Sequence, residues 1–333
     1  MKKVSLAFMV FLGSMTGFST SLDAQSSTAT QNGSRKFDVR PDALEQYRNR
    51  SIPKTSSSSS SPRSNNPDFM DSDMGIQRPV EAKKTGFGYH LGFETKVYHS
   101  SNPASVDGGD FEVSAGIWEN ALRNNFLLGA YDLGGASFSP VLSLTYVKFN
   151  HFGDDLFDTF DFDSLGLSFA GIFQFSNGLT LRSSLAYNAD LNPNDGLDRQ
   201  YSQIAPSLAL GKSFSLDPVS AFVEWSVGYN FTDNPSGLDD DGLNRFETAL
   251  TGGLTVPFGD FEFSPLLRFA LVDYSKENRT DVMSSLNLQL QYAFTQWLKL
   301  KVYANMSARN SDVPNSDFSR FDTGAGASFD ARF

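Results

Sequence analysis

Thr323-Gly324-Ala325-Gly326-Ala327-Ser328-Phe329-Asp330-Ala331-Arg332-Phe333 alternates residue by residue between two kinds of side chain. Thr323, Ala325, Ala327, Phe329, Ala331 and Phe333 are small or apolar, and Gly324, Gly326, Ser328, Asp330 and Arg332 stand between them. A strand has a side-chain period of two, so the stretch presents one apolar and one polar face.

The same alternation recurs in the segments that begin at Thr85. Phe87, Tyr89, Leu91, Phe93 and Val97 share one face, and Gly88, His90, Gly92, Glu94 and Lys96 the other. Leu165, Leu167, Phe169, Phe173 and Phe175 form a second apolar face. A third is Ala221, Val223, Trp225, Val227, Tyr229 and Phe231, and a fourth is Leu286, Leu288, Leu290, Tyr292 and Phe294. Links are short around Ser176-Asn177-Gly178, Ser215 to Pro218, Gly259-Asp260 and Thr295 to Trp297. They are longer near 99 to 109, 151 to 159, 192 to 198, 232 to 242 and 310 to 318. Many alternating segments joined by alternately short and long links predict an all-β fold, a transmembrane antiparallel up-and-down β-barrel of about 12 strands over residues 85–333. Residues 122–139 fall where a short turn is expected, and they are read as an extension of the neighbouring strand past Gly134-Gly135. Pro206 and Pro265 interrupt predicted strands and lead us to expect bulges there.

Composition agrees. The 333 residues include 31 Phe, 11 Tyr, 3 Trp and 27 Gly, an aromatic load suited to girdles facing lipid. After residue 24 no run approaches the roughly 18 apolar residues of a membrane-spanning helix. A net charge of -11 argues against nucleic acid as a partner. The absence of Cys excludes thiol chemistry and disulfides.

Lys2 and Lys3, the apolar run Val4 to Gly13 and small residues up to Ala24 read as a secretory signal peptide over residues 1–24. Residues 25–80 are rich in Ser, Asn, Arg and Pro, including the tract Thr55 to Ser61, and read as a disordered periplasmic segment. A tether is the favoured role, with a plug or partner-binding segment as the alternative.

Charge placement tests the barrel, because an Arg or Lys facing mid-bilayer lipid costs about 2 to 4 kcal/mol. Glu94, Lys96, Glu112, Arg182, Asp190, Glu224, Arg245, Glu247, Glu262, Arg268, Asp281, Lys299, Lys301, Asp322, Asp330 and Arg332 all take the parity opposite the apolar one. Lys148, Lys212 and Asp273 depart from it, close to strand ends. The candidate pore-lining residues are therefore Glu94, Lys96, Arg182, Glu224, Arg245, Glu247, Arg268, Lys299, Lys301 and Arg332. Such a lining suits a wet channel, and it equally suits opposite charges that pair across the interior and fill it. Twelve strands lie between the roughly 8 that pack solid and the 16 to 18 that leave an aqueous pore, so geometry leaves both open.

The predicted external loops carry Asp107, Asp154, Asp155, Asp158, Asp195, Asp198, Asp233, Asp239, Asp240, Asp241, Glu277, Asp312 and Asp317 against Lys276. This rim would concentrate cations. Asp239-Asp240-Asp241 and the pair Asp195 and Asp198 offer oxygen ligands, without the spacing of a dedicated calcium loop. Solvated loops that bridge loosely to lipopolysaccharide through cations are the reading; no resident metal or cofactor is implied.

An alternating last strand ending in Phe resembles the C-terminal signal of bacterial outer-membrane β-barrels, which assembly machinery reads, with Phe329 and Phe333 as its apolar end. Trp297-Leu298-Lys299-Leu300, then Ala308 to Asp312 leading to Phe318 and Phe321, looks like the closing hairpin of β-barrel porin families. The resemblance implies a bacterial outer membrane location, contact with its lipid and lipopolysaccharide, and passive passage of small polar solutes or oligosaccharides. The alternative is a plugged barrel for assembly, attachment or exopolysaccharide export. A remote alternative is an outer-membrane lipid hydrolase, since some 12-stranded barrels, notably the outer-membrane phospholipase family, are enzymes with a Ser-His pair presented on the lipid face. Here the His residues are His90, His99 and His151, and His99 and Ser100 are adjacent, so on a strand they point to opposite faces. No enzyme is expected, and monomer and homo-oligomer both stay open.

Overall fold

The computed structural model describes residues 87–333 except 104, 106–113, 154–160, 194–195, 234–242, 276–277, 296, 314–315 and 333. The signal peptide, the Ser-rich segment, Glu112 and Phe333 lie outside the described residues, as do Asp195 and Asp239 to Asp241.

The described strands are β1 (Phe87–Ser100), β2 (Ala115–Leu128), β3 (Tyr131–Asp132), β4 (Ala136–Phe152), β5 (Phe162–Phe175), β6 (Leu179–Asn192), β7 (Asp198–Leu216), β8 (Val219–Asp233), β9 (Arg245–Phe258), β10 (Phe261–Tyr274), β11 (Arg279–Ala293), β12 (Leu298–Ser311) and β13 (Phe318–Arg332). Each long strand pairs antiparallel with its sequence neighbour. Two contacts close the ring: β13 pairs β1, and β2 pairs β4 past the two-residue β3. The result is a closed barrel of 12 long strands. Closure matters physically because an open edge would leave backbone N–H and C=O groups unpaired in hydrocarbon.

β3 resolves the ambiguity at residues 122–139. Phe126, Leu127 and Leu128 complete β2, and Tyr131–Asp132 folds back on Ser137 and Phe138 around Gly134-Gly135. It is an extension of the β2–β4 hairpin, as the sequence reading expects. Pro206 and Pro265 require a correction. Pairing of β7 to β8 breaks after Ile204↔Phe231 and resumes at Ser207↔Gly228 in the same register. Pairing of β9 to β10 likewise steps from Val256↔Phe263 to Gly253↔Leu266. A missing N–H thus removes rungs towards one neighbour without inserting a residue. The bulge lies instead between Asp190 and Leu191.

The predicted parity holds around the ring. Phe93, Val97, Leu165, Leu167, Phe169, Trp225, Leu250, Phe269 and Met306 are exposed on the outside. Turns between strands are short at 176–178 and 259–260, where Gly178 (φ 81°) and Gly259 (φ 64°) take the left-handed conformation that a tight reversal requires.

Candidate functional site: the charged lumen

Register decides which side chains meet inside. The inward residues of β13 include Gly324 and Gly326, which face Tyr98 and Lys96 of β1 on one side and Tyr303 and Lys301 of β12 on the other. Without Cβ atoms between them, β1 and β12 side chains meet across the intervening strand. Tyr98 and Tyr303 pack edge to face with centroids 5.9 Å apart, and Lys301 Nζ donates to Glu94 Oε1 at 2.9 Å.

Glu94 is the hub of this wall. Its other oxygen accepts from Arg123 Nη1 at 2.7 Å, with Lys96 Nζ 3.9 Å away, and Lys96 also pairs with Glu119 at 3.2 Å. Two other ion pairs stand on other walls. Arg182 of β6 reaches over β7 to Glu224 of β8 at 2.8 Å, and Arg268 of β10 pairs with Glu247 of β9. His90 Nε2 donates to Asp330 Oδ1 at 3.0 Å, and Asn125 Nδ2 donates to His90 Nδ1 at 3.3 Å.

At the external strand ends the interior is tighter. Arg279 makes a two-point contact to Asp281 (2.9 and 2.7 Å) and stacks over Tyr274, and Arg309 stacks over Phe318. Arg245 donates to Gln203 at 3.3 Å, and Arg320 pairs with Asp322 at 3.2 Å. Arg245 is 2% and Asp281 0% exposed. On the opposite arc the inward Ile117, Ala121, Val147, Phe149 and Phe162 form an apolar cluster with Tyr98. The start of the first external loop contributes to this closure. Asn102, Pro103 and Ser105 are buried, Asn102 Nδ2 donates to Ser319 O at 3.2 Å, and Arg320 donates to Ser105 Oγ at 3.3 Å.

Lower in the barrel, charged groups keep contact with the lumen. The Arg123 side chain is 32%, Asp330 26%, and Arg268 and Glu224 each 24% exposed.

The structure therefore brings Glu94, Lys96 and Lys301 into one network, pairs Arg182 with Glu224 and Arg268 with Glu247, and buries Arg245 near the external end. Lys299 has lumen parity, Arg332 is the last residue of β13 in register with His90, and Phe329 faces outward against Trp297 with centroids 5.5 Å apart. Asp198 begins β7 and is exposed. Sequence reasoning missed Arg123, Glu119 and the external arginines Arg279, Arg309 and Arg320. The signal for the first two is Trp118, Leu122 and Phe126, apolar at every fourth position, which places Glu119 and Arg123 inward. Asn120 and Asn124 on the outward parity conceal it.

A closed antiparallel ring with an apolar exterior and a charged interior has the architecture of a membrane-spanning β-barrel. No protein-family model matches the sequence, and no curated protein is similar to it. Among solved structures, an outer-membrane channel from Pseudomonas putida F1 is similar over 76% of this chain and 99% of its own, at 12% identity and a TM-score of 0.46. The NanC porin is similar over 71% of this chain and 98% of its own, at 13% identity and a TM-score of 0.43. The beta domain of the Bordetella autotransporter BrkA covers 73% of this chain and 99% of its own, at 14% identity and a TM-score of 0.37.

Proposed function

We propose that this barrel is a porin-like channel of the outer membrane, through which small polar solutes or oligosaccharides diffuse with no chemical step. The observation that carries the reading is the accessibility of Arg123, Asp330, Arg268 and Glu224 inside the ring. A charge sealed in a dry interior is strongly disfavoured unless fully paired, so partly exposed charges on several walls support a hydrated passage. The catalytic alternative has little support. His99 is on the outward parity and Ser100 on the inward one, in register with Gly116 and Ala115 respectively, and His151 Nδ1 is held by Asp161 at 3.2 Å.

Swelling of proteoliposomes holding the refolded chain from residue 25 onward tests the proposal. Entry of a pentose faster than a trisaccharide is the expected result; rates equal to protein-free vesicles for both would refute it.

The tight external end favours a second reading, a barrel occluded at its outer mouth that serves attachment or export with partners. Brief protease treatment of the external loops separates the two. An occluded barrel gains solute entry only after trimming, whereas an open channel conducts before it.

A further inference from the structure

The lumen charges differ in how completely their partners compensate them. Arg268 and Glu247 form a pair of one cation and one carboxylate. In the β12–β13–β1–β2 network, Lys96, Arg123 and Lys301 pair with two carboxylates, Glu94 and Glu119; with Asp330, which His90 holds at 3.0 Å, and Lys299 beside it, the wall carries four Lys and Arg cations against three carboxylates among these named residues. The members also differ in position. Glu94 is 2% exposed, behind its cations, and Lys301 is 7% exposed. Arg123 is 32% exposed, the most accessible side chain of the five. One face of its guanidinium edge is spent on Glu94 Oε2 through Nη1. A guanidinium carries five N–H donors in a planar fork, so donors remain to receive a second oxyanion in two-point geometry.

Building on the channel reading above, we propose that Arg123 is the specificity-determining residue of the passage, a transient docking point for small oxyanions such as carboxylates and phosphates. Among the described residues, Asp198, Asp233, Asp312 and Asp317 lie at or just beyond the strand ends that border the long links, and the network lies further along the strands. Cations are therefore favoured at the entrance, while the wall at Arg123 favours anions. Glu94 positions the fork: held by Lys301 as well, it keeps Arg123 against the wall, so a passing anion meets a preorganised donor.

The test uses the refolded chain from residue 25 onward in planar bilayers, with reversal potentials under a tenfold KCl gradient and inorganic phosphate titrated against the chloride current. Arg123→Gln is expected to move the reversal potential towards cation selectivity and to weaken phosphate block about tenfold or more, the loss of a charge-assisted hydrogen bond. Arg268→Gln, which opens a balanced pair, is expected to move both less. Arg123→Lys keeps the charge and loses the fork, so it should hold the reversal potential and still weaken the block; it also stands in if Arg123→Gln fails to give a heat-modifiable folded band. Folded Arg123→Gln channels with wild-type reversal potential and phosphate block overturn the proposal and leave the channel reading intact. Equal shifts in Arg123→Gln and Arg268→Gln overturn it as well. A silent wild-type protein removes the channel reading, and this proposal with it.

Discussion

Gly324 shows how one missing side chain sets the barrel seam. A Cβ there would lie 2.3 Å from the Val97 carbonyl oxygen and 2.4 Å from Tyr98 Cβ, distances that force backbone movement. Gly324→Ala should therefore destabilise the closed barrel by about 1 to 3 kcal/mol, the usual range for overpacking. The urea midpoint of protein folded into vesicles measures this, and an unchanged midpoint would mean that the seam tolerates a methyl group. Glu94 makes the complementary case. Glu94→Gln leaves Arg123 and Lys301 without the carboxylate they share, and breaking a buried ion pair from one side costs about 3 to 5 kcal/mol. Glu119→Gln, at a more exposed pair, should lower the midpoint less; the reverse order would refute the hub assignment. At this scale the sequence disclosed which face a charge occupies, since parity alone places Glu94, Lys301, Glu224 and Arg268 inward. It did not disclose partners. Glu94 and Lys301 are 207 positions apart and on strands that are not neighbours, so their contact depends on register and on the two glycines of β13.

For the elements, the decisive quantity is the contrast between lipid face and lumen face. Leu167 lies mid-strand on the outward face of β5 and is 43% exposed. Leu167→Arg should reduce stability by about 2 to 4 kcal/mol, whereas Leu216→Arg at the end of β7 should reduce it by about 0 to 1 kcal/mol. Equal midpoints for the two variants would contradict the assigned membrane depth. Strands with clean alternation, such as β5, β8 and β11, were legible from sequence. β2 was less so, because Asn120 and Asn124 stand on its outer face, where Tyr89 donates to Asn124 at 2.8 Å. The prolines misled for a different reason: Pro206 and Pro265 removed rungs while register was preserved, and sequence carries no sign of which neighbour loses the hydrogen bond.

For the whole molecule, two opposed features meet in one lumen: accessible charges in its body, and a closely packed ring of Arg, Tyr and apolar side chains at its external end. Closure, strand number and the alternation of short and long links were readable, because each follows from local pattern and from the need to pair every backbone group in lipid. The packed external end was not, since it arises where several strand tips and the first loop converge, with Arg320 donating to Ser105 as one such contact. The channel proposed above requires that solutes nonetheless pass through. Single-channel recording of the refolded chain from residue 25 onward in a planar bilayer is the decisive measurement. Reproducible, discrete conductance steps from heat-modifiable, folded protein are predicted; electrical silence from that same folded protein would contradict the claim and assign the barrel to an occluded, partner-dependent role.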